Sequence, residues 1–193
     1  ETIETILNMA VKNGNIQNVK SLLEFPSINV NKKSINFEKK NDFYMKDEKT
    51  KNTALHTSVL SGNYEMTSIL LSHQNIDVNK QGVNIYNSNV KKWNALTMAT
   101  EKNNIEIVKL LLSHPKIDVN ALYSNKNINF KQVDRSSLFL AIEKGYDKIA
   151  ELLIKRNDID VNFISLHKNE ICSKIKKITT LHKALEKRNR KII

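Results

Sequence analysis

A four-residue phrase recurs four times in this chain, always at the same distance from an upstream leucine. The copies are INVN at 28–31 and IDVN at 76–79, 117–120 and 159–162. The closing asparagine of each copy lies 24 residues after a leucine, and these leucines are Leu7, Leu55, Leu96 and Leu138. A fixed internal spacing is typical of stacked repeat proteins, in which each unit buries its apolar face against its neighbours. Such an array offers a long binding surface rather than an enclosed catalytic pocket.

The composition excludes several classes of function. Only 4 of the 193 residues are Gly, so no Gly-rich phosphate loop is available. The single cysteine, Cys172, excludes an internal disulfide and a CxxC metal motif. A chain with one cysteine and no internal disulfide is typical of a reducing compartment, so we expect an intracellular, cytoplasmic protein. No run of 18 apolar residues is present, so we expect no membrane span.

The second copy shows the predicted structure of one repeat. Thr53 is a suitable N-cap, and Leu55 and Val59 are spaced for one face of a short helix. Gly62 follows where that helix should end, since glycine accepts positive φ. The segment 64–72 predicts a second helix, after which IDVN leads into extended chain. The unit is therefore helix, tight turn, helix and extended arm.

The sequence resembles the ankyrin repeat family, whose pattern is T-P-L-H-x-A-A-x-x-G, then V-x-x-L-L, then D-V-N. The best matches are TALHTSVLSG at 53–62 and TTLHKAL at 179–185. The resemblance implies a mainly all-α protein, a solenoid of helix pairs with extended β-hairpin or loop fingers. It predicts one array over 1–193, with repeats at about 4–52, 53–93, 94–135 and 136–178 and a partial repeat at 179–193. Because Ile192 and Ile193 leave an apolar end, we expect this array to be a fragment of a longer chain.

The repeats are longer than the family pattern. Successive leucines are 48, 41, 42 and 43 residues apart, against about 33 in ankyrin repeats. Most of the extra residues lie in the finger segments. Apolar and polar residues alternate at 34–37, 82–86 and 127–130, which predicts extended strands. We therefore expect lengthened hairpins.

The positive charge is concentrated in the finger segments. The chain has a net charge of +11. The segments 32–53, 80–94, 121–137 and 163–180 carry +3, +3, +2 and +3, whereas the repeat bodies between them are close to neutral up to 162. Stacking should bring this charge to one side of the array.

The ionisable residues do not predict an enzyme or a metal site. His73 and His114 occupy matching positions on adjacent second helices. Such helices lie about 8–10 Å apart, whereas two zinc ligands must each approach to about 2.0–2.1 Å. Cys172 has no base beside it in the sequence. We therefore expect no catalytic residue, no metal, no other cofactor and no small-molecule substrate.

Trp93 is the most informative single residue for binding. It is the only tryptophan, and it occupies a position that in the ankyrin family is variable and faces the partner. Two roles stay open: exposure at the binding face, or folding back onto its own finger to cover Val83, Ile85 or the neighbouring hairpin. The predicted partner-binding residues are Lys91, Lys92, Trp93, Lys102, Arg135 and Lys144.

The resemblance implies a protein-interaction scaffold that holds its partner with the concave helix face and the basic finger tips. The partner would be another protein with an acidic or mixed-charge surface. One alternative is binding of nucleic acid or another polyanion by the basic fingers. Another is a targeting array attached to an effector domain elsewhere in a larger protein.

Overall fold

Four helix pairs follow one another along the part of the chain that the structure describes. The computed structural model describes residues 4–38, 48–86, 89–126, 132–168 and 175–179. In these ranges the first helices of the pairs are α1 (Ile6–Lys12), α3 (Ala54–Leu60), α5 (Ala95–Glu101) and α7 (Ser137–Lys144). The second helices are α2 (Ile16–Leu23), α4 (Tyr64–Leu71), α6 (Ile105–Leu112) and α8 (Asp147–Ile154). No helix in the described part is long and apolar enough to cross a membrane.

Side-chain caps fix where the first helices begin. The N-cap residue of each first helix accepts a hydrogen bond from the backbone N–H three residues later. Such a bond satisfies a donor that the helix leaves without a partner. The predicted cap at Thr53 is confirmed. The four caps are Thr5, Thr53, Asn94 and Ser136.

The core lies between the two rows of helices. The first helices pack side by side in chain order, and α4, α6 and α8 form a second row. The leucines that set the repeat spacing are all buried. Small buried residues follow three positions after each leucine and allow neighbouring first helices to approach closely. These small residues are Ala10, Ser58, Ala99 and Ala141.

The expectation of a mainly all-α protein is wrong, because the fingers form one antiparallel sheet of eight strands. The strands follow chain order within it. They are β1 (Ser34–Glu38), β2 (Glu48–Asn52), β3 (Gly82–Tyr86), β4 (Asn89–Trp93), β5 (Leu122–Lys126), β6 (Gln132–Ser136), β7 (Ile164–Lys168) and β8 (Ile175–Thr179). The protein therefore combines a helical solenoid with a continuous β-sheet.

Pairing between neighbouring fingers makes the sheet continuous. The strand β2 of the first finger pairs with β3 of the second, from Glu48 opposite Tyr86 to Lys51 opposite Val83. The strands β4 and β5 pair in the same way. The longer finger segments supply five-residue strands, and stacking brings their edges within hydrogen-bonding distance. Extended chain at 34–37 and 82–86 is confirmed, while 127–130 and most of the predicted partial repeat lie outside the described residues.

The finger sheet has two distinct faces, because side chains alternate along each strand. We define the inner face as the one that continues the surface of the first helices, and the outer face as the opposite one. Trp93 and Lys91 lie on the inner face and border the same pocket as residues of α3 and α5. Lys92 lies between them in β4 and therefore points to the outer face.

Asparagines of the recurring phrase join each repeat to the next. The Asn79 side chain donates to the Lys116 carbonyl at 2.7 Å and accepts from the Asp118 N–H at 2.9 Å. Asn31 and Asn120 make the equivalent pairs of hydrogen bonds to the following repeats. In the first three copies of the phrase, the closing asparagine is therefore an inter-repeat contact.

Candidate functional site

A small concave pocket lies where the second and third fingers meet the first helices. Its volume is about 180 Å³, and its walls are mainly apolar. Leu60, the last residue of α3, is 43% exposed at this pocket although it is a large hydrophobic residue. The lining consists of Leu60, Lys91, Trp93, Thr97, Met98, Glu101, Lys102 and Tyr123. Residues from two adjacent repeats therefore contribute to one cavity.

Trp93 has one buried edge and one edge in the pocket. It packs against the hydrophobic core. A Cβ atom on Gly82, the residue opposite Trp93 in β3, would lie 2.6 Å from the indole Nε1 and 2.6 Å from Asn52 Oδ1. Only glycine leaves room for this close approach. Trp93 does not cover Val83 or Ile85, since both lie on the outer face of the sheet.

The imidazole of His56 lies behind the indole. His56 is 1% exposed, and its Nδ1 lies 2.7 Å from Thr53 Oγ1 in a capping box at the start of α3. Burial lowers the pKa of His56 from 6.5 to about 4. The backbone carbonyls of Trp93 and Lys80 partly oppose this shift, whereas the positive charge of Lys33 adds to it. His56 is therefore neutral at physiological pH and acts as a structural support beneath the pocket.

Ion pairs link the pocket to the fourth repeat. Lys144 Nζ lies 3.3 Å from Glu101 Oε1, which joins the end of α7 to the pocket wall. Arg135 is opposite Tyr123 in the sheet, and its Nε lies 2.6 Å from Glu143 Oε2. Both side chains of this second pair are largely shielded from solvent, at 19% and 23% exposure. The guanidinium of Arg135 is therefore already held within the protein.

The structure brings five of the six predicted binding residues to one side of the sheet. Lys91, Trp93 and Lys102 line the pocket. Arg135 and Lys144 lie beside it, each paired with a glutamate. Lys92 is on the outer face, away from the other five. Whether these residues contact a partner stays a prediction.

The family model for ankyrin repeats, in three copies, matches residues 2–82 and 79–165. The chain belongs to the ankyrin repeat family. Members of this family are generally protein–protein interaction modules and are typically not enzymes. Comparison with curated proteins finds no match to the chain.

The ankyrin position after the conserved leucine is filled differently in each repeat. The ankyrin pattern has histidine at this position. The second repeat keeps it as His56, whereas the first repeat has Asn8. The Asn8 amide donates to Ser34 Oγ at 2.6 Å and to the Asn52 carbonyl at 2.9 Å. Its Oδ1 accepts from Thr57 Oγ1 at 3.0 Å. Asn8 therefore connects the first finger with the second repeat, and the array keeps its hydrogen bonding without a histidine there.

The histidines considered as metal ligands stabilise local turns. His73 Nδ1 accepts a hydrogen bond from the Asn75 N–H, and His114 Nδ1 accepts one from the Lys116 N–H, each at 3.2 Å. No group of three or more potential metal ligands occurs among the described residues. Cys172 lies outside them.

Sequence reasoning did not include Leu60 and Tyr123 among the binding residues. Leu60 could have been recognised from the sequence, because the equivalent positions in the other ankyrin repeats are charged. They hold Lys12, Glu101 and Glu143. An apolar residue at a position that is otherwise charged indicates a contact beyond the repeat itself. Tyr123 had no such signal, since its approach to Trp93 depends on the pairing of β4 with β5.

Proposed function

We propose that this array binds another protein through the inner surface centred on the Trp93 pocket. The observation that carries the proposal is a mainly apolar cavity, bordered by Leu60 and Trp93, with two lysines at its margin. Tryptophan is enriched among the residues that contribute most to binding at the centres of protein interfaces. Lys91 and Lys102 would favour a partner with acidic residues beside its apolar anchor and would accelerate association.

The size of the pocket favours a protein partner over a small molecule. Sites for drug-sized ligands usually have volumes of about 300–1,000 Å³ and bury most of the ligand. A cavity of about 180 Å³ suits a single apolar side chain presented by a larger surface. The neighbouring first helices and the inner face of the sheet would supply the rest of that interface.

Replacing Leu60 tests this proposal with little risk to the fold. Leu60→Asp places a charge at the pocket without removing a buried core residue. Ile154→Asp is the matched control, since Ile154 is 39% exposed at the end of α8, which does not line the pocket. Proteins captured from a cell extract by the wild-type chain would be purified, and their dissociation constants measured by calorimetry. We expect Leu60→Asp to weaken binding by at least about tenfold, or about 1.4 kcal/mol, and Ile154→Asp to have little effect.

Trp93→Ala is expected to cost about 2 kcal/mol or more in the same binding assay, as hot-spot residues do. Because Trp93 also packs over Gly82, the melting temperature of the Trp93→Ala variant must be measured together with its affinity for the partner. Unchanged affinity with a much lower melting temperature would show that Trp93 serves only the core. If the wild-type chain and Leu60→Asp bind the partner equally well, the pocket is not part of the interface.

A further inference from the structure

The excess positive charge of the fingers lies mainly on the outer face of the sheet. Alternation along β2 and β4 puts Lys51 and Lys92 there, on either side of Val83 in β3. On the inner face, β2 carries Glu48 instead. Strands β2 to β5 bring no carboxylate to the outer face, whereas Asp134 of β6, opposite Ser124, does. The two faces therefore differ in charge over β2 to β5.

The lysines of the outer face surround an aliphatic centre. Lys51 is paired with Val83, and Val83 with Lys92, while Ile85 and Val90 form the adjacent pair. Since neighbouring strands are about 4.8 Å apart, Lys51 and Lys92 lie roughly 10 Å from each other across Val83. Val83, Ile85 and Val90 are only partly buried, and no helix in the described part of the chain packs closely on β3 or β4. We call Lys51, Val83, Ile85, Val90 and Lys92 the lysine face.

A second group of like charges extends the lysine face at its base. Lys33 directly precedes β1, and its pKa is lowered first by burial and then by the positive charges of Lys80 and Lys51. Lys33, Lys51 and Lys92 form no ion pair with another described residue. Like charges held together reduce stability unless an anionic partner compensates them. Asp77, which pairs with Lys80, offsets only part of this repulsion at Lys33, so the cluster favours a partner that supplies negative charge.

The aliphatic centre distinguishes between the possible anions. Single-stranded nucleic acids are usually held by aromatic stacking as well as by charge, but the aromatic residues of β3, β4 and β5, which are Tyr86, Trp93 and Tyr123, lie on the inner face. An acidic protein segment with aliphatic side chains matches both the lysines and the valine and isoleucine surface.

We propose that the lysine face is a second docking surface, which binds a protein segment rich in Asp or Glu and in Val, Ile or Leu. This surface is separate from the Trp93 pocket, on the opposite side of the finger sheet. One array could then hold two proteins at once, one on each face.

Synthetic peptides test the chemistry directly. The probes are 15-residue peptides that alternate Asp or Glu with Val, Ile or Leu, a second set with Ser in place of the aliphatic residues, duplex DNA, and phosphatidylserine vesicles. Binding to the complete chain is followed by fluorescence anisotropy or co-sedimentation at physiological salt. We expect the acidic aliphatic peptides to bind at least about tenfold more tightly than the Ser set.

Paired variants locate the binding surface. Lys51→Glu with Lys92→Glu should weaken binding of the acidic aliphatic peptide at least tenfold, and so should Val83→Thr with Val90→Thr. Lys148→Glu with Lys155→Glu makes the same change in net charge at exposed positions on and just after α8 and should leave binding unchanged. Leu60→Asp should also leave it unchanged. If the glutamate pair at Lys51 and Lys92 lowers the melting temperature, Lys51→Gln with Lys92→Gln replaces it.

Several results would overturn the proposal. If the Lys148 and Lys155 control loses as much affinity for the peptide, the attraction is nonspecific. If Leu60→Asp weakens peptide binding, the peptide lies on the inner face. Equal binding of the Ser peptides would remove any role of the aliphatic centre. Tighter binding of DNA or vesicles through the same lysines would assign the lysine face to a different class of partner, and failure of every probe to bind would reject the surface altogether.

Discussion

At the scale of single residues, the turn between the two helices of each repeat requires positive φ. Gly14, Gly62 and Gly145 adopt φ of 68°, 69° and 75°. The third repeat has Asn103 at the same place, with φ of 53°. Asparagine tolerates the left-handed region better than other residues that carry a Cβ atom. This position was recognisable in the sequence because one residue type with a known conformational preference fills it in three of four copies.

Replacing Asn103 with alanine should therefore reduce stability. A left-handed conformation costs most L-residues roughly 1–2 kcal/mol, so we expect Asn103→Ala to lower the free energy of unfolding by about 1 kcal/mol. Asn13 is exposed and has φ of −79°, so Asn13→Ala serves as the control and should be nearly neutral. Urea denaturation measures both, and equal effects would show that backbone strain is not the cause.

His56 should make the stability depend on pH in mildly acidic solution. Its pKa is about 4 in the folded protein and near 6.5 in an unfolded chain. Above pH 6.5 both states are neutral and His56 has no effect. Between pH 6.5 and 4 the unfolded chain binds a proton that the folded protein does not, so stability falls as pH falls, by up to about 1.4 kcal/mol per pH unit.

His56→Gln is the appropriate comparison, because glutamine at this helix position can still form a capping box. The pH dependence of unfolding of the wild-type chain should be steeper than that of the variant between pH 6.5 and 4. Identical slopes for the two proteins would mean that His56 becomes protonated without unfolding.

At the scale of elements, the asparagines of the recurring phrase determine how one repeat adjoins the next. Asn79→Ala removes two inter-repeat hydrogen bonds, each worth about 0.5–1.5 kcal/mol, so we expect a loss of about 1–2 kcal/mol. Asn79→Asp keeps the acceptor for the Asp118 N–H but cannot donate to the Lys116 carbonyl, and should have an intermediate effect. The control is Asn75→Ala, since Asn75 is exposed and bonds through its backbone carbonyl. Stability is measured by thermal unfolding. If Asn79→Ala were no less stable than Asn75→Ala, this role of Asn79 would be refuted.

The helix pairs could be predicted from the sequence, whereas the sheet could not. Caps such as Thr53 and the turn at Gly62 depend on residues close together in the chain, so local patterns indicate them. Pairing of β2 with β3 joins residues more than 30 positions apart, such as Lys51 and Val83, and depends on how closely the repeats stack. The sequence also placed Lys91 and Lys92 together, because 89–93 was not recognised as a strand; along β4 the two side chains point to opposite faces.

At the scale of the whole molecule, the continuous sheet is what makes two extended surfaces out of separate fingers. On the inner face it brings Trp93 of one finger and Tyr123 of the next into one pocket. On the outer face it brings Lys51 of the first finger close to Lys92 of the second, across Val83. Independent hairpins would move relative to one another and could not maintain either arrangement.

Amide hydrogen exchange tests this continuity most directly. In an inner strand of the sheet, alternate amides bond to the strand on either side. We therefore expect consecutive amides of β2, β3 and β4 to be protected, whereas β1, at the edge of the described sheet, should show protection only at alternate positions. If the fingers were separate hairpins, β2, β3 and β4 would also lose protection at every second amide. That alternating pattern in the inner strands would contradict a continuous finger sheet and the two binding surfaces that depend on it.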